Sequence, residues 1–364
     1  MYLPRLLVCG RSLSLTNVTF FKYSSCPRFL DTRYNKGVKQ RGPVITLILL
    51  APVIAEILLG STRLSILFVL VPQILLWGLG ALMIREAFRR ASLDTRGLLL
   101  MGVALGLSEE FIIQQTSLAP LPWLGPGHDY GRAFAVNWVW LLAMLGWEVV
   151  WVTLIPIHLT EIIWRERRRQ PWLGTRGWII SMALFLAGSM IAWYGWTHRA
   201  RPMVFHAPIY SPPLAPMLIA AVVIVALIAI ALQLPAQLRR PRGQTPGPWL
   251  VGVASFVFAE GWVGLIQIAG GAHPRFPVTA ALLAGIAWAA AAYALIERWS
   301  AGSGWSDAHR VAAIIGANVA LMTNGWQGVW RLSDIIFRVA VGGGIVLLAI
   351  VQLGRSPIAE TEQP

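Results

Sequence analysis

The sequence predicts an all-α, polytopic membrane protein of about ten transmembrane helices with both termini in the cytoplasm. Three observations carry this. Of 364 residues, 56% are apolar and 13% are charged, roughly half the charge of an ordinary soluble domain. Apolar runs near 20 residues recur along the chain, the length that crosses a bilayer's hydrocarbon core. Trp occurs 18 times, Gly 34 and Pro 23; Trp gathers at membrane interfaces, and membrane helices tolerate Gly and Pro. A soluble helical domain would need far more charge on its outer faces.

Residues 1–42 stand apart as a basic, weakly ordered segment. Arg5, Arg11, Lys22, Arg28, Arg33, Lys36, Lys39 and Arg41 face a single acid, Asp31. The opening run Met1-YLPRLLVCG is too short and poorly organised for a secretory signal. A mitochondrial-type targeting segment, a mobile basic tail and an upstream extension of the reading frame all fit this composition. Cys9 and Cys26 both lie here and supply neither a disulfide scaffold nor a metal knuckle.

Residues 43–353 form one transmembrane domain. The first span, 43–60, is short, and Gly60-Ser-Thr-Arg63 joins it to 64–84 as a tight helical hairpin. Span three, 97–118, contains the adjacent acids Glu109 and Glu110. Span four, 134–162, is long enough to tilt or to protrude at its basic end. The remaining spans are 177–197, 213–234, 249–269, 278–297, 308–327 and 334–353, followed by a polar tail, 354–364. The Pro- and Gly-rich loop 119–133, with His128, Asp129 and Tyr130, reads either as a partial lid or as an ordinary exposed turn.

The charge pattern orients these spans. Of 30 Lys and Arg, seven fall on one side: Arg63, Arg132, Arg199, Arg201, Arg275, Arg331 and Arg338. The other 23 are in the N-terminal segment, the alternate loops and the tail, among them Arg85, Arg89, Arg90, Arg96 and Arg165–Arg169. The positive-inside rule puts that side in the cytoplasm. The net charge of +14 therefore reads as topology rather than nucleic-acid binding. The predicted location is the plasma membrane, and the predicted partner is the lipid bilayer.

Several polar residues fall at one depth. Glu109 and Glu110 lie midway along span three, Glu148 along span four, Glu260 along span seven and Asn318 along span nine. Glu56 is in the outer half of span one, and His158 and Glu161 are toward the cytoplasmic end of span four. Gln114, Gln115, Asn137, Gln267 and Asn324 sit nearer the outer side. A carboxylate at mid-depth is costly, so such residues face a bundle interior or a water path and mark function. Grouped carboxyls place a base beside an acid, which suits proton relay or activation of a water.

Helical spacing puts Glu110 and Gln114 on one face, with Glu109 about 100° away. In span four, Glu148, Trp151 and Ile155 share a side, His158 and Glu161 share another, and Pro156 frees a backbone carbonyl between them. Glu148, Pro156, His158 and Glu161 thus outline a cavity wall. Blander readings stand beside these. His158 suits interfacial hydrogen bonding near the basic loop, and Glu161 suits headgroup-level pairing with Arg165–Arg169. Glu260, beside Gly261 and Gly264, suits a single polar lock in a close helix contact. Gly102-VALGLSEE-Phe111 and Gly252-VASFVFAEG-Trp262 echo one another, and in so apolar a sequence chance is the stronger explanation.

The stretch Glu109-Glu110-Phe-Ile-Ile-Gln114 resembles the Glu-Glu-x-x-x-Arg motif of the CPBP family of intramembrane proteases. These are glutamate-dependent enzymes related to the CAAX-prenyl endopeptidases. The resemblance implies a motif glutamate that activates water for peptide cleavage, assisted by histidines of later helices. Glu109 and Glu110 match the paired glutamates, and Gln114 stands where the family has Arg. The next motif, Phe-x-x-x-His, is matched in depth by Met144-LGWE-Val149, which puts Glu148 in the histidine's place and leaves His158 as a displaced substitute. Asn318 is the loose counterpart of a last motif in which His precedes Asn or Asp by four. The likeness covers spans two to four. The chain is also similar to multi-pass bacterial membrane proteins in which a Glu-Glu span precedes a Trp-, Pro- and Glu-containing helix, here Trp151–Glu161.

Three functions fit. A CPBP-like membrane hydrolase would use Glu109 or Glu110 to activate water, assisted by Glu148 or His158. A proton-coupled transporter or permease would use the mid-depth acids of spans three, four and seven, with Gln114, Glu161, Glu260 and Asn318 lining its polar cavity. A scaffold or assembly factor would use the same acids only to lock helices. The expected substrate is hydrophobic, a peptide or a small molecule. The sequence predicts no cofactor and no metal: it lacks paired zinc-type ligands, a phosphate loop and a dinucleotide fingerprint.

Overall fold

The computed structural model describes residues 41–123, 130–234, 243–273, 275–324 and 331–354. The segment 1–40 with both cysteines, loop residues His128 and Asp129, and the tail beyond Gly354 lie outside the described residues. Among the described residues, a main helix lies at each of the ten predicted spans. These helices are α1 (Arg41–Pro52, continued by Val53–Ile57), α2 (Leu64–Arg90), α3 (Thr95–Leu107, continued by Ser108–Ile113), α4 (Trp138–Ile163) and α5 (Thr175–Met203). Then come α6 (Leu214–Leu232), α7 (Pro248–Ala269), α8 (Val278–Ser300), α9 (Asp307–Asn324) and α10 (Leu332–Leu353). Seven of these, α2, α4–α8 and α10, are long and apolar enough to cross a membrane. This is a helical, multi-pass membrane protein. A short antiparallel hairpin pairs Arg132 with Asn137 and Ala133 with Val136 ahead of α4.

Local chemistry sets several helix ends. Asn137 caps α4 by accepting from the Trp140 N–H at 3.0 Å, satisfying a donor that the helix leaves open. Pro248 opens α7, where its missing N–H costs nothing. The cap of α2 comes from elsewhere: Asp334 of α10 accepts from Ser65 N at 3.0 Å and Ser65 Oγ at 3.1 Å.

Five helices are interrupted by π turns, at Val53–Ile57, Ile74–Gly78, Ser108–Ile113, Glu148–Leu154 and Gly195–Ala200. Prolines explain three of them. Pro52, Pro72 and Pro156 lie within two residues of the first, second and fourth. A proline supplies no N–H to the carbonyl one turn back, and the ladder re-registers by a residue. At Pro156 the break expected from the sequence thus takes the form of a π turn.

Helices cross closely where glycine leaves room. A Cβ on Gly316 of α9 would overlap the carbonyl oxygen of Gly252 on α7, and one on Gly106 of α3 would lie 3.1 Å from the Glu148 Cβ of α4. Ser255 fastens the first crossing by donating to Ala313 O at 2.8 Å. Trp262 of α7 fills the space over Gly146 and donates to Ala143 O at 2.9 Å. Small residues of this kind let membrane helices pack backbone to backbone.

Candidate functional site

Four of the π turns converge on a group of carboxyls. Glu109 and Glu110 are on the turn of α3, Glu148 on that of α4, Glu56 on that of α1 and Trp77 on that of α2. Glu109, Glu110 and Glu148 are 3%, 4% and 3% exposed. The Trp77 indole donates to Glu109 Oε2. Glu109 and Glu148, from different helices, lie against one another as buried carboxyls. Glu148 Oε2 is buried and has no partner. Glu110 turns to its own chain, accepting from Thr116 Oγ1 and Ser117 Oγ at 2.6 Å each. The Trp140 Nε1 points toward Glu110 without reaching hydrogen-bonding geometry. Glu56 accepts from Ser61 Oγ at 2.6 Å, and Gln73 Nε2 lies 3.4 Å away.

Span three ends earlier than the sequence predicted. The helix stops at Ile113 rather than 118, so the two acids lie in its last turn and not at its middle. A tightly held turn follows, with Ser117 and Leu118 fully buried. Arg132 props that turn, donating to Leu118 O at 2.7 Å and Ala119 O at 2.9 Å. Irregular backbone is tolerated at such a place because protein, not lipid, surrounds it. The early stop also leaves Gln114 past the helix end and not on a shared helix face with Glu110. The partners of Glu110 are Thr116 and Ser117, which become available only once the helix has ended.

The remaining predicted residues divide among three places. Glu161 joins a buried cluster at the Arg-rich end, but with α2 rather than with Arg165–Arg169. Its Oε1 accepts from Arg85 Nε at 3.1 Å and Arg89 Nε at 2.8 Å. Arg85 reads as a loop charge in the sequence and is fully buried in the fold. Its other acceptors are Glu86 at 2.8 Å, Gln170 O at 2.7 Å, Arg168 O at 2.9 Å and Arg167 O at 3.3 Å. Its guanidinium also stacks over Trp172, 3.4 Å from the ring centroid. His158 lies among the charges of Glu161, Arg310 and Arg89. Ten residues of helix past Glu148, it is about 15 Å from the carboxyl pair, so the two do not address one target.

Glu260 does not join the pair either. It accepts from Thr323 Oγ1 at 2.6 Å and from the Asn324 amide, while Gln267 donates to Asn324 at 3.1 Å. Those contacts tie α7 to α9. Asn318 is fully buried in α9, and neither end of its amide has a partner.

An open groove of about 920 Å³ lies beside the site, between α3, α5 and the approach to α6. Ser108, Ile112 and Ile113, from the π turn that carries Glu109 and Glu110, form one wall. Thr197 and His198, from the fifth π turn, are on the opposite wall with Trp193 and Tyr210. His198 Nδ1 is 2.6 Å from Thr197 Oγ1. The sequence reading missed this groove, and it missed Trp77, Thr116 and Ser117, because helical periodicity does not survive a π turn. The nearest available signal was proline spacing.

Among the described residues no group of three or more His, Cys, Asp or Glu is placed to hold a metal ion. No family model, no curated protein and no solved structure matches the chain. The class defined by the fold is a multi-pass helical membrane protein, and Glu109, Glu110 and Glu148 are buried inside it.

Proposed function

We propose that this chain is a proton-coupled carrier whose exchangeable proton is held between Glu109 and Glu148. The carrying observation is the juxtaposition of two buried carboxyls from different helices, on the π turn that also forms a wall of an open groove. Two carboxyls buried side by side cannot both stay ionised, so the pair holds a proton and titrates as a unit. The π turn of α3 turns Glu109 and Glu110 inward and Ser108 and Ile112 outward. An occupant of the groove and the proton on the pair would thus press on the same few backbone hydrogen bonds. A π turn can relax to α by shifting one residue in register, which gives the two-state element that coupling requires. We propose with this a plasma-membrane topology of ten spans with both ends cytoplasmic, supported by the ten helices and the 23-to-seven charge bias.

The CPBP-like hydrolase is the second reading. One observation favours it: Glu148 faces Glu109, as the resemblance implies for the family's second motif. Against it weigh the enclosure of the pair and the separation of His158. The test is reconstitution into proteoliposomes loaded with a pH-sensitive dye, with candidate hydrophobic, peptide and small-molecule substrates supplied across a pH gradient. The carrier reading expects substrate-driven proton movement that Glu109→Gln or Glu148→Gln abolishes. Substrate flux indifferent to the gradient and to both substitutions rejects it. Cleavage of a peptide that Glu109→Gln abolishes would transfer the assignment to the hydrolase.

A further inference from the structure

The carboxyl pair is enclosed, so a proton needs a route to it. On α4, Glu148 Oε2, Thr153 Oγ1 and Thr160 Oγ1 are all buried and all without a hydrogen-bond partner. Thr153 and Thr160 have no exposed surface. Buried polar atoms are almost always partnered; besides the Trp140 indole near Glu110, α4 carries these three oxygens, and they need an explanation. Their register supplies it. In an α-helix, residue 153 would point well away from residue 148. Both lie in the π turn Glu148–Leu154, where the residue five further on comes over the first. From Thr153, seven residues return to nearly the same azimuth, and the next step is Thr160. The three oxygens thus form a file on one face, about 17 Å long at helical rise. It starts at the carboxyl pair and ends beside Glu161 in the Arg85–Arg89 cluster.

We infer that this file is a proton path, in which internal waters link Glu148, Thr153 and Thr160 and connect the carboxyl pair to the Arg-rich end of the molecule. The inference rests on the proton-coupled reading and names the route that reading needs. The gaps between successive oxygens, about 7 and 10 Å along the axis, exceed a single hydrogen bond and each takes two or three waters. Thr hydroxyls suit the role because each both donates and accepts. A proton entering at the Thr160 end is accepted by one water as that water releases another, until one proton rests on the pair. The hydrogen bonds of the file are left reversed and no atom is gained or lost. The charged and titratable groups facing the file are Glu56, Glu109 and Glu110 at one end, and Glu161, His158, Arg85, Arg89 and Arg310 at the other.

The test follows the carboxyl stretch of the pair by infrared spectroscopy of the reconstituted full chain after transfer to D₂O. Glu109→Gln and Glu148→Gln assign the band. The expected result is ready exchange in the wild type, slowed at least about tenfold in Thr153→Val and in Thr160→Val, the scale of losing one positioned proton-transfer group. Thr153→Ser should restore the rate. Valine matches threonine in shape and removes only an unpartnered hydroxyl, so both variants should unfold at the wild-type temperature. If one of them fails to fold, the other and the serine variant still decide. A band that never exchanges in the wild type, or that exchanges equally fast in both valine variants, overturns the path. Hydroxyl-dependent exchange without any gradient-driven flux would keep the path and reject the carrier.

Discussion

Helices α4 and α6 are both long enough to cross a bilayer, and they are used in opposite ways. Protein buries 61% of the apolar stretch of α4 but 11% of that of α6, the more apolar of the two. Helices α5 and α8 resemble α6, each also 11% buried. In water the most apolar helix would sit at the centre. Lipid is as apolar as leucine and gives no drive to bury it, so the interior goes to helices with small residues for close contact and polar ones for hydrogen bonds. The polar groups are therefore gathered on α1–α4, α7, α9 and α10, with α5, α6 and α8 outside them. Inner substitutions should be costly and outer ones cheap.

The largest expected effect is at the Arg-rich end. Arg85→Ala strips Glu86 and Glu161 of a shared partner inside the protein, and breaking a buried ion pair from one side costs about 3–5 kcal/mol. Thermal unfolding of the detergent-purified protein should drop steeply, and Arg85→Lys should not recover it, because an ammonium cannot replace a five-donor fork. A loss below about 1 kcal/mol, the value of a surface pair, would show that the cluster does not hold α2 to α4.

Next comes the crossing of α7 and α9. Gly316→Ala places a methyl against the Gly252 carbonyl, with Phe256 N 3.0 Å away, and should cost about 1–3 kcal/mol as overpacking. Gly343→Ala on α10 meets nothing within 4 Å and should be neutral or stabilising by up to about 1 kcal/mol, the helix-propensity gain. Equal effects at the two positions would show that the close crossing of α7 and α9 carries no special weight. Replacing Trp77 with Phe removes the donor to Glu109 and should cost about 1–2 kcal/mol for an unmade buried hydrogen bond. The same variant should shift the infrared carboxyl band. A band unmoved in Trp77→Phe would dissociate the indole from the pair.

The smallest effect is expected on α8. Leu283 is 69% exposed to the surroundings, and Leu283→Ala should change the unfolding free energy in lipid nanodiscs by no more than about 0.5 kcal/mol. A large loss there would mean that another protein surface, and not lipid, covers that helix.

How much was legible follows from which residues carried the signal. The apolar runs were readable because length and composition alone make a membrane helix. Glu109, Glu110 and Glu148 stood out because a carboxyl is conspicuous in such a run. Their partners did not. Thr116 and Ser117 lie in the turn after a helix that ends five residues before the predicted span does. Trp77 is one of 18 tryptophans, with nothing local to distinguish it. Arg85, Arg89 and Glu86 sit where a boundary drawn by hydropathy becomes a loop, yet α2 runs on to Arg90 because each charge finds a partner inside the bundle.

The sequence by itself determined that the chain crosses a membrane many times as helices, where those helices lie, and which acids are out of place in lipid. These are properties of single segments in a solvent of known thickness and polarity. Only the tertiary structure decided which acids meet. Pairing Glu109 with Glu148, sending Glu161 to Arg85 and Glu260 to α9, and aligning Thr153 with Glu148 all depend on helix register and crossing. Those are set by π turns and by glycine contacts between segments far apart in the chain, and a 3.6-residue period carries no record of either.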